Sequence, residues 1–415
     1  MRSPTGAFIF IAIMLLLDTY MFQVIKSLSQ SASPKTRTII YSIYWGITVL
    51  AVIGFLLFVF TGPDFLPKKV RTYMFATIVG LFLSKVIAAI FFLVDDIRRG
   101  VQWLAGKLFM QDTVADNIGQ EKISRSSFLS WLGFIAGGGL FGTLLYGFGN
   151  KYRYTVKRIK LSYDNLPVGF KGLKIIHISD IHSGSFMDKG PVAKGVQKIL
   201  NEQADIILFT GDLVNNHAEE MHDYMDVFSQ LKAPMGVYST FGNHDYADYV
   251  HWDSQAEKDA NLERLKKVHA DLGWRLLLDE NIVLKRNNDE ISLIGVQNIS
   301  GKARFHSYGN MAKAYTGTDP NHFKILMSHD PSHWDMEVKS KYPDVDLMLS
   351  GHTHGMQFGI EIPGFKWSPV QYVYKQWAGL YEEGKQKLYI NRGYGFIGYP
   401  GRVGVLPEIT VIELV

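Results

Sequence analysis

The chain of 415 residues contains no cysteine. That absence excludes a disulfide framework, thiolate metal ligands and a cysteine nucleophile, and it leaves the redox compartment undecided. The chain also lacks a strong excess of charge of one sign, since 43 basic and 39 acidic residues give a net charge of +4. So mild a balance does not by itself indicate a nucleic-acid partner. Hydrophobic residues make up 47% of the chain, and they are concentrated in its first 150 residues.

Four hydrophobic runs in that first part are long enough to cross a bilayer, whose hydrocarbon core is about 30 Å thick. They are Ala7–Val24, Thr38–Phe60, Tyr73–Val94 and Phe128–Phe148. The sequence therefore predicts a transmembrane domain at 1–150 and a second domain at 151–415. Asp18 and Lys85 fall inside two of the runs. Because intramembrane charges are costly, we expect both to face a bundle interior or to snorkel, and a functional role is the alternative.

The connection between the third and fourth runs, residues 95–127, is the longest in this domain. Apolar residues recur there at helical spacing, at Ile97, Val101, Leu104 and Leu108, with Trp103 nearby. The pattern is typical of an amphipathic helix that lies in the membrane interface. A helix packed on the transmembrane bundle is equally compatible with it.

Five short polar segments in the second domain each follow an apolar, β-rich run of the kind that forms a buried strand. The runs are KIIHIS, DIILFT, VYSTF, KILMS and DLMLS, and the segments after them contain Asp180-Ile-His182, Gly211-Asp212, Gly242-Asn243-His244-Asp245, Ser328-His329-Asp330 and Gly351-His352-Thr353-His354-Gly355. Loops at strand ends gather together, so we expect these side chains to form one site. Aspartate, asparagine and histidine suit Mn, Fe, Zn or similar divalent ions, and two adjacent ions can clamp a phosphate.

The ordered set of five motifs resembles the calcineurin-like metallophosphoesterase superfamily over residues 155–415. With the spans that precede it, the chain resembles the membrane-anchored bacterial branch of that superfamily. The resemblance implies an α/β fold, the αββα sandwich of two facing sheets flanked by helices, and helical periodicity at 190–203, 219–231 and 255–272 agrees with it. It also implies two divalent ions. One would be held by Asp180, His182, Asp212 and His354, and the other by Asp212, Asn243, His329 and His352, with Asp212 bridging both.

Three more residues receive roles in catalysis or substrate binding. In the family, the histidine at the position of His244 faces the phosphate, together with the metal ligand Asn243, and stabilises charge or protonates the leaving group. Asp245 would hold the His244 imidazole in orientation. Arg392 would bind a substrate phosphate, with a structural role under a loop as the alternative. Asn215 is interpreted as a turn residue, with a contact that supports a metal ligand from behind as the alternative.

The resemblance implies hydrolysis of a phosphodiester or diphosphate by a hydroxide that bridges the two ions. Tethering to a membrane predicts a lipid or lipid-linked substrate, so the expected partners are the bilayer and a phosphate ester, with no nucleic acid. One alternative is an enzyme like the UDP-2,3-diacylglucosamine diphosphatase of lipid A synthesis, which needs a cytoplasmic active site. Another is a transporter or receptor that the phosphoesterase domain regulates.

The expected location is a bacterial cell membrane, and two sequence features bear on the orientation in it. Loops 25–37 and 95–127 carry eight lysine and arginine residues, and the opposite side carries nine, so the positive-inside rule gives no decision. The segment Ser124–Leu129 resembles a twin-arginine export signal with one arginine left, and exported relatives of this branch use that signal. We therefore predict a catalytic domain outside the cytoplasm, with Arg125 as an ordinary helix-flanking residue as the alternative.

Overall fold

The computed structural model describes residues 4–62, 65–109 and 125–415, and it divides into two compact units, Met1–Tyr146 and Gly147–Val415. Four long helices dominate the first: α1 (Pro4–Leu28), α2 (Pro34–Phe60), α3 (Lys68–Phe109) and α4 (Arg125–Gly147). All four are long and apolar enough to cross a membrane. Apolar side chains such as Leu16 and Leu50 are 72% and 70% exposed, as contact with lipid requires.

The start of α2 shows how the sequence sets these helix boundaries. The Ser33 hydroxyl accepts the backbone N–H of Thr36, and Pro34 occupies the first turn, where its missing N–H costs nothing. Helix α4 begins inside the export-like segment of the sequence. Ser124 and the side chains of Arg125 and Ser126 lie outside the described residues.

Helix α3 extends beyond the predicted third span. The sequence predicts a span that ends at Val94, and one helix contains this span and continues through to Phe109. The physical reason lies in the acidic residues that follow the span. Asp95 pairs with Arg98 at 2.8 Å and with Arg99 at 3.2 Å, and pairs at these spacings stabilise a helix that has left the apolar run.

A buried polar network links α1, α2 and α3 midway along each helix, which the sequence patterns do not indicate. The Lys85 ammonium lies 2.5 Å from an oxygen of Asp18, whose side chain is 1% exposed. The Thr48 hydroxyl donates to the other carboxylate oxygen at 2.8 Å, and the Tyr44 hydroxyl also donates to Asp18. The two charges therefore satisfy each other inside the bundle and neither snorkels.

Replacing Asp18 by alanine is expected to lower the thermal stability of the membrane-embedded protein, because Lys85 then lacks its counter-ion. Removing one partner of a buried ion pair costs about 3–5 kcal/mol. The double variant Asp18→Ala/Lys85→Ala removes both charges and should recover most of that loss. Thermal unfolding in lipid nanodiscs measures the difference, and a double variant less stable than Asp18→Ala would contradict the pairing.

The second unit contains two six-stranded sheets. The first has the strand order β1 (Thr155–Leu161), β14 (Glu408–Leu414), β2 (Lys174–Ile178), β3 (Ile206–Phe209), β4 (Val237–Ser239) and β5 (Arg275–Leu276). The second has the order β12 (Gly379–Glu383), β13 (Gln386–Ile390), β9 (Leu347–Ser350), β8 (Phe323–Met327), β7 (Asp289–Gly295) and β6 (Glu280–Arg286). A short hairpin of β10 (Ile360–Ile362) and β11 (Phe365–Trp367) stands apart from both.

Apolar side chains between the two sheets form the central core. Ile175 and Leu208 of the first sheet pack in one buried cluster with Leu293, Ile325 and Leu349 of the second. Each such side chain contributes about 1.5–3 kcal/mol when it leaves water. A second cluster lies between the first sheet and its helices, and a third lies on the outer face of the second sheet. Each sheet therefore packs against the other on one face and is covered on its outer face, which confirms the predicted αββα sandwich.

The α-helices of the second unit are α5 (Lys189–Asn201), α6 (Met225–Phe228), α7 (Gln255–Asp271), α8 (Met311–Tyr315) and α9 (Lys339–Lys341). Helices α5 and α7 agree with the helical segments predicted at 190–203 and 255–272, and the segment predicted at 219–231 differs. Where the sequence predicts one helix over 219–231, a 3-10 helix precedes the single turn of α6. The Glu220 carboxylate there accepts the backbone N–H groups of Asn215, Asn216 and His217, which holds the chain in tighter turns.

The parallel pairing of the strands decides where the candidate site lies. Strands β2, β3 and β4 run parallel in one sheet, and β7, β8, β9 and β13 run parallel in the other. The loops after β2, β3, β4, β8 and β9 carry the five predicted motifs. Residues from both sheets therefore meet at the carboxyl ends of their strands.

Candidate metal centre

The loop after β2 and the loop after β9 supply the first group of candidate ligands. The ligand atoms of Asp180, His182 and His354 all lie within 4.8 Å of one another. His354 Nε2 is 3.1 Å from Asp180 Oδ1 and 3.1 Å from His182 Nε2. These three side chains come from the two sheets and converge on one point.

A second group lies beside the first. The ligand atoms of Asp212, His329 and His352 are likewise within 4.8 Å of one another. His329 Nε2 is 3.1 Å from Asp212 Oδ2, and His352 Nδ1 is 2.8 Å from the amide oxygen of Asn243. The same oxygen of Asp212 is 3.5 Å from His182 Nε2 of the first group. One carboxylate therefore connects the two groups, and all seven predicted ligands are brought together.

The donor set fits two divalent cations. His182 Nε2 and His354 Nε2 are 3.1 Å apart, and His329 Nε2 and His352 Nδ1 are 3.2 Å apart. Two nitrogens that are each about 2.0–2.1 Å from a common ion lie about 3 Å from each other. Oxygen and imidazole donors in this number match borderline divalent ions.

The electrostatics of the site favour cation binding. Burial alone raises the pKa of a carboxyl group, but the surrounding histidines lower the pKa of both Asp180 and Asp212 below its usual value. Burial lowers the pKa of His182 and of His352. For His329, burial also acts to lower the pKa, but the Asp212 charge raises it to about 10. Ionised carboxylates and neutral imidazoles are the forms that bind metal, and a cation would displace the His329 proton.

Groups behind the candidate ligands fix which nitrogen each histidine presents. His329 Nδ1 donates to the Thr210 carbonyl at 2.7 Å, which leaves Nε2 facing Asp212. His352 is turned the other way, because its Nε2 lies 2.9 Å from the Tyr374 hydroxyl. That hydroxyl also donates to Asp330 at 3.3 Å. Such contacts orient metal ligands, and sequence reasoning did not identify the one from Tyr374.

Asn215 favours the alternative to the turn interpretation, because it contacts the candidate site residues. Its side-chain oxygen lies 3.1 Å from His182 Nδ1, and its backbone carbonyl accepts from His244 Nδ1 at 2.9 Å. The half-buried His244 ring therefore leaves Nε2 without a partner among the described residues while it lines the cleft. One loop residue thus positions a candidate ligand and the predicted catalytic histidine together.

Asp245 does not contact the His244 imidazole as predicted. Its carboxylate accepts the backbone N–H groups of Asp212, Leu213 and Gly242, each at 2.8 Å. The reason is local, since His244–Tyr246 is a turn of 3-10 helix, in which successive side chains point about 120° apart. Asp245 therefore ties the loops after β3 and β4 to each other.

Arg392 also differs from the prediction of a substrate contact. Its guanidinium, in a residue only 5% exposed, pairs with Glu361 at 2.9 Å and with Glu408. It is not among the residues that line the cleft. A carboxylate-paired, buried arginine has no free donor fork for a phosphate, so this arrangement favours the structural alternative.

The backbone of the site is unusual in two ways. Five candidate ligands have positive φ, between 49° and 70°: Asp180, His182, Asp212, His352 and His354. Few residues other than glycine adopt this conformation, and such strain concentrates at functional sites. The glycine at position 242 has a steric cause, since a Cβ there would lie 2.2 Å from Asp212 Oδ1.

The two ligand groups open into a cleft with a volume of about 790 Å³, within the usual range for small-molecule sites. Candidate ligands form its floor. The loop Gly301–Phe305 and the segment around Val373 and Tyr374 form its walls. Sequence reasoning missed the loop, because it contains no motif.

Comparison with protein families agrees with this geometry. Residues 173–356 match the family model described as calcineurin-like phosphoesterase. Residues 1–150 match the model described as probable calcineurin-like phosphoesterase, transmembrane domain. The metallophosphoesterase family implies divalent metals, in agreement with the two groups of candidate ligands.

Several curated proteins are similar to the chain. A zebrafish (Danio rerio) "transmembrane protein with metallophosphoesterase domain" is 28% identical over 262 residues, which are 62% of this chain and 56% of that protein. YkuE of Bacillus subtilis, a metallophosphoesterase, is 28% identical over 71% of this chain and 98% of its own length. "Phosphodiesterase YaeI" of Escherichia coli is 28% identical over 58% of this chain and 82% of its own.

The match spans just over half the length of the vertebrate relatives. Among solved structures, the Thermus thermophilus protein TT1561 covers 56% of this chain and 91% of its own, with 13% identity and a TM-score of 0.33. That score is too low to carry an argument. The chain is thus an integral membrane protein that carries a calcineurin-like phosphoesterase domain at residues 173–356 behind a transmembrane domain at residues 1–150.

Proposed function

We propose that the chain hydrolyses a phosphodiester or diphosphate at the two adjacent ligand groups, which would hold two ions of Mn, Fe or Zn. The observation that carries the proposal is the position of Asp212 between the groups, 3.5 Å from His182 and 3.1 Å from His329. Two ions bound there would neutralise the phosphate and lower the pKa of a water molecule between them.

The residues of the chain have separate tasks in this proposal. Asp212 uses one oxygen toward both groups, and its other oxygen accepts the backbone N–H of His244 at 2.8 Å. That bond fixes the start of the turn that carries the imidazole. With Nδ1 occupied by the Asn215 carbonyl, His244 Nε2 is the atom that would donate a proton to the leaving group.

Exposed apolar residues on the segment 356–373, two of which line the cleft, support a substrate with a lipid portion. We call these residues the apolar rim, and they are Met356, Ile360, Ile362, Phe365, Tyr372 and Val373. Each is at least 49% exposed, and Met356 and Val373 also line the cleft. Exposed apolar groups that continue from a polar site are what an acyl or prenyl chain next to a phosphate requires.

A panel of phosphate esters tests the proposal directly. Full-length protein in nanodiscs would be supplied with Mn, Fe, Zn or Mg and offered soluble monoesters and diesters, nucleotide-sugar diphosphates and lipid phosphates. We expect hydrolysis of diesters or diphosphates only with added metal, and faster turnover when the substrate carries an acyl chain. Failure to hydrolyse any of them with any metal would overturn the proposed function, and equal rates with and without acyl chains would remove its lipid part.

We further propose that the catalytic domain lies outside the cytoplasm of a bacterial cell. Asn288 is exposed between β6 and β7, so Asn288→Cys introduces a unique thiol without disturbing a contact. Three of the four candidate spans lie between the loop after α1 and the catalytic domain, so this loop and the domain are expected on opposite sides of the membrane. Ser31→Cys, in that loop, is the matched control. An impermeant maleimide should label Asn288→Cys in intact cells, with any outer envelope permeabilised, and Ser31→Cys only after lysis. The reverse result would favour the cytoplasmic, diacylglucosamine-diphosphatase-like alternative.

A regulated transporter or receptor is a second candidate, and one observation favours it. Lys85 and Tyr44 of the buried network line a cavity of about 230 Å³ between the helices of the first unit. Ionisable groups beside an intramembrane cavity often mark a ligand path. Under this alternative, Asp18→Ala/Lys85→Ala would abolish solute uptake and leave ester hydrolysis unchanged.

A further inference from the structure

Two cations on one loop of the cleft have no counter-ion among the described residues. Lys302 and Arg304 both line the cleft together with the candidate ligands. Within the part of the chain that the structure describes, neither forms an ion pair, whereas Arg392 has two glutamate partners. Unpaired cations in a concave site indicate a negatively charged ligand.

Lys302 lies close to the second ligand group. Its ammonium is 5.3 Å from the centre of the Tyr374 ring, and the hydroxyl of that ring is 2.9 Å from His352 Nε2. The ring of the next aromatic residue on the loop, Phe305, stands edge-on to the His352 ring at 4.6 Å. A single aromatic side chain therefore separates the ammonium from a candidate metal ligand.

Arg304 lines the cleft beside Phe305, the ring that contacts His352. The carbon of its guanidinium group is 5.7 Å from the centre of the Phe305 ring. One aromatic side chain therefore separates this guanidinium from the second ligand group as well.

We propose that Lys302 and Arg304 bind a second phosphate of the substrate, adjacent to the one that is attacked, so that the enzyme prefers a diphosphate to a simple diester. This inference rests on the proposed function and specifies its substrate class. A phosphodiester carries one negative charge, which the metal ions alone would neutralise. A diphosphate brings further charge that suits two more cations, and Arg304 presents the forked donors that phosphate oxygens accept.

The same contacts would assist bond cleavage. Hydrolysis joins the oxygen of water to one phosphorus and breaks the bond from that phosphorus to the bridging oxygen. The bridging oxygen leaves with the bonding electron pair on the second phosphate. One proton of water goes to solvent, and the leaving phosphate receives a proton from His244 or departs as the anion. Lys302 and Arg304 would hold that departing charge.

A matched pair of substrates tests the inference. Dioctyl diphosphate and dioctyl phosphate have the same chains and differ by one phosphate. For full-length protein in nanodiscs, Lys302→Ala/Arg304→Ala should lower kcat/KM for the diphosphate by roughly 10–100-fold, mainly through KM, because two charge-assisted contacts are lost. The diester should change less than about threefold. Lys302→Arg, which keeps the charge and both donors of Arg304, should retain most activity, and Lys313→Ala, a change of an exposed lysine on α8, is the control.

A binding measurement separates this inference from the proposed function. Calorimetry with the non-hydrolysable methylene-bridged dioctyl diphosphonate reports on the second phosphate site without any turnover. The double alanine variant should bind it at least about tenfold more weakly than the wild type does. Unchanged binding, or an equal loss of activity on both substrates, would overturn the inference. If the wild type hydrolyses neither substrate, the proposed function fails and the binding result alone decides the role of the two cations.

Discussion

Replacing Asp212 by asparagine is expected to abolish hydrolysis and to deplete metal from both sites. One oxygen of this carboxylate faces His182 of the first group and His329 of the second. The amide keeps the shape but removes the negative charge between the groups. Loss of several kcal/mol of charge stabilisation corresponds to a fall of at least about 10³-fold in kcat. Metal analysis of the purified variant and its turnover rate measure both effects.

Asp346→Asn is the matched control for this change. Asp346 precedes β9 and so lies at the opposite end of that strand from His352, where it accepts the backbone N–H of Lys324 at 2.7 Å. That variant should keep its metal and its activity. Near-full occupancy of both sites in Asp212→Asn would show that the carboxylate does not connect them.

Replacing His244 by alanine should leave the metal content unchanged and lower kcat by roughly 10²–10⁴, the usual range for loss of general acid–base catalysis. The imidazole bonds to the Asn215 carbonyl and to no candidate ligand, so its removal leaves both ligand groups intact. If His244 protonates the leaving group, esters with good leaving groups such as p-nitrophenol should lose the least. Steady-state kinetics across leaving groups of different pKa measures that dependence.

His251→Ala provides the comparison for His244, because His251 is exposed a few residues further along the chain. It should behave like the wild type. Loss of metal from His244→Ala would overturn the assignment of this residue to the substrate. An equal loss across all leaving groups would restrict its role to phosphate binding.

The family resemblance that the ordered strands and motifs carry was enough to predict the sandwich and to name the seven residues that the structure brings together. Buried parallel strands are continuous apolar runs, which is a local signal, and each motif follows its run directly. The polar partners of those residues carry no such signal. Tyr374 reaches His352 across 22 positions of sequence, and Asn215 reaches His182 across 33. Only the tertiary fold closes such separations, as when the parallel neighbours β2 and β3 bring Asn215 to His182.

Two errors share a different cause, which is the direction of a side chain. Asp245 was paired with its neighbour His244, although a 3-10 turn sends the two apart. Arg392 was assigned to substrate, although Glu361 and Glu408 compensate its charge. The expected bundle-interior position of Asp18 and Lys85 is confirmed, but no local pattern indicates their contact, because the two residues are 67 positions apart in sequence. Sequence spacing predicts which loop a residue occupies, and the fold decides what that residue faces.

The central claim is that two ions act together in one site. The most direct measurement is hydrolysis of bis-p-nitrophenyl phosphate by metal-stripped full-length protein during titration with Mn, with bound metal counted at each point. We predict no activity without metal and full activity only as the second ion binds, at two ions per chain. Full activity at one ion per chain, or hydrolysis by the stripped protein, would contradict the claim.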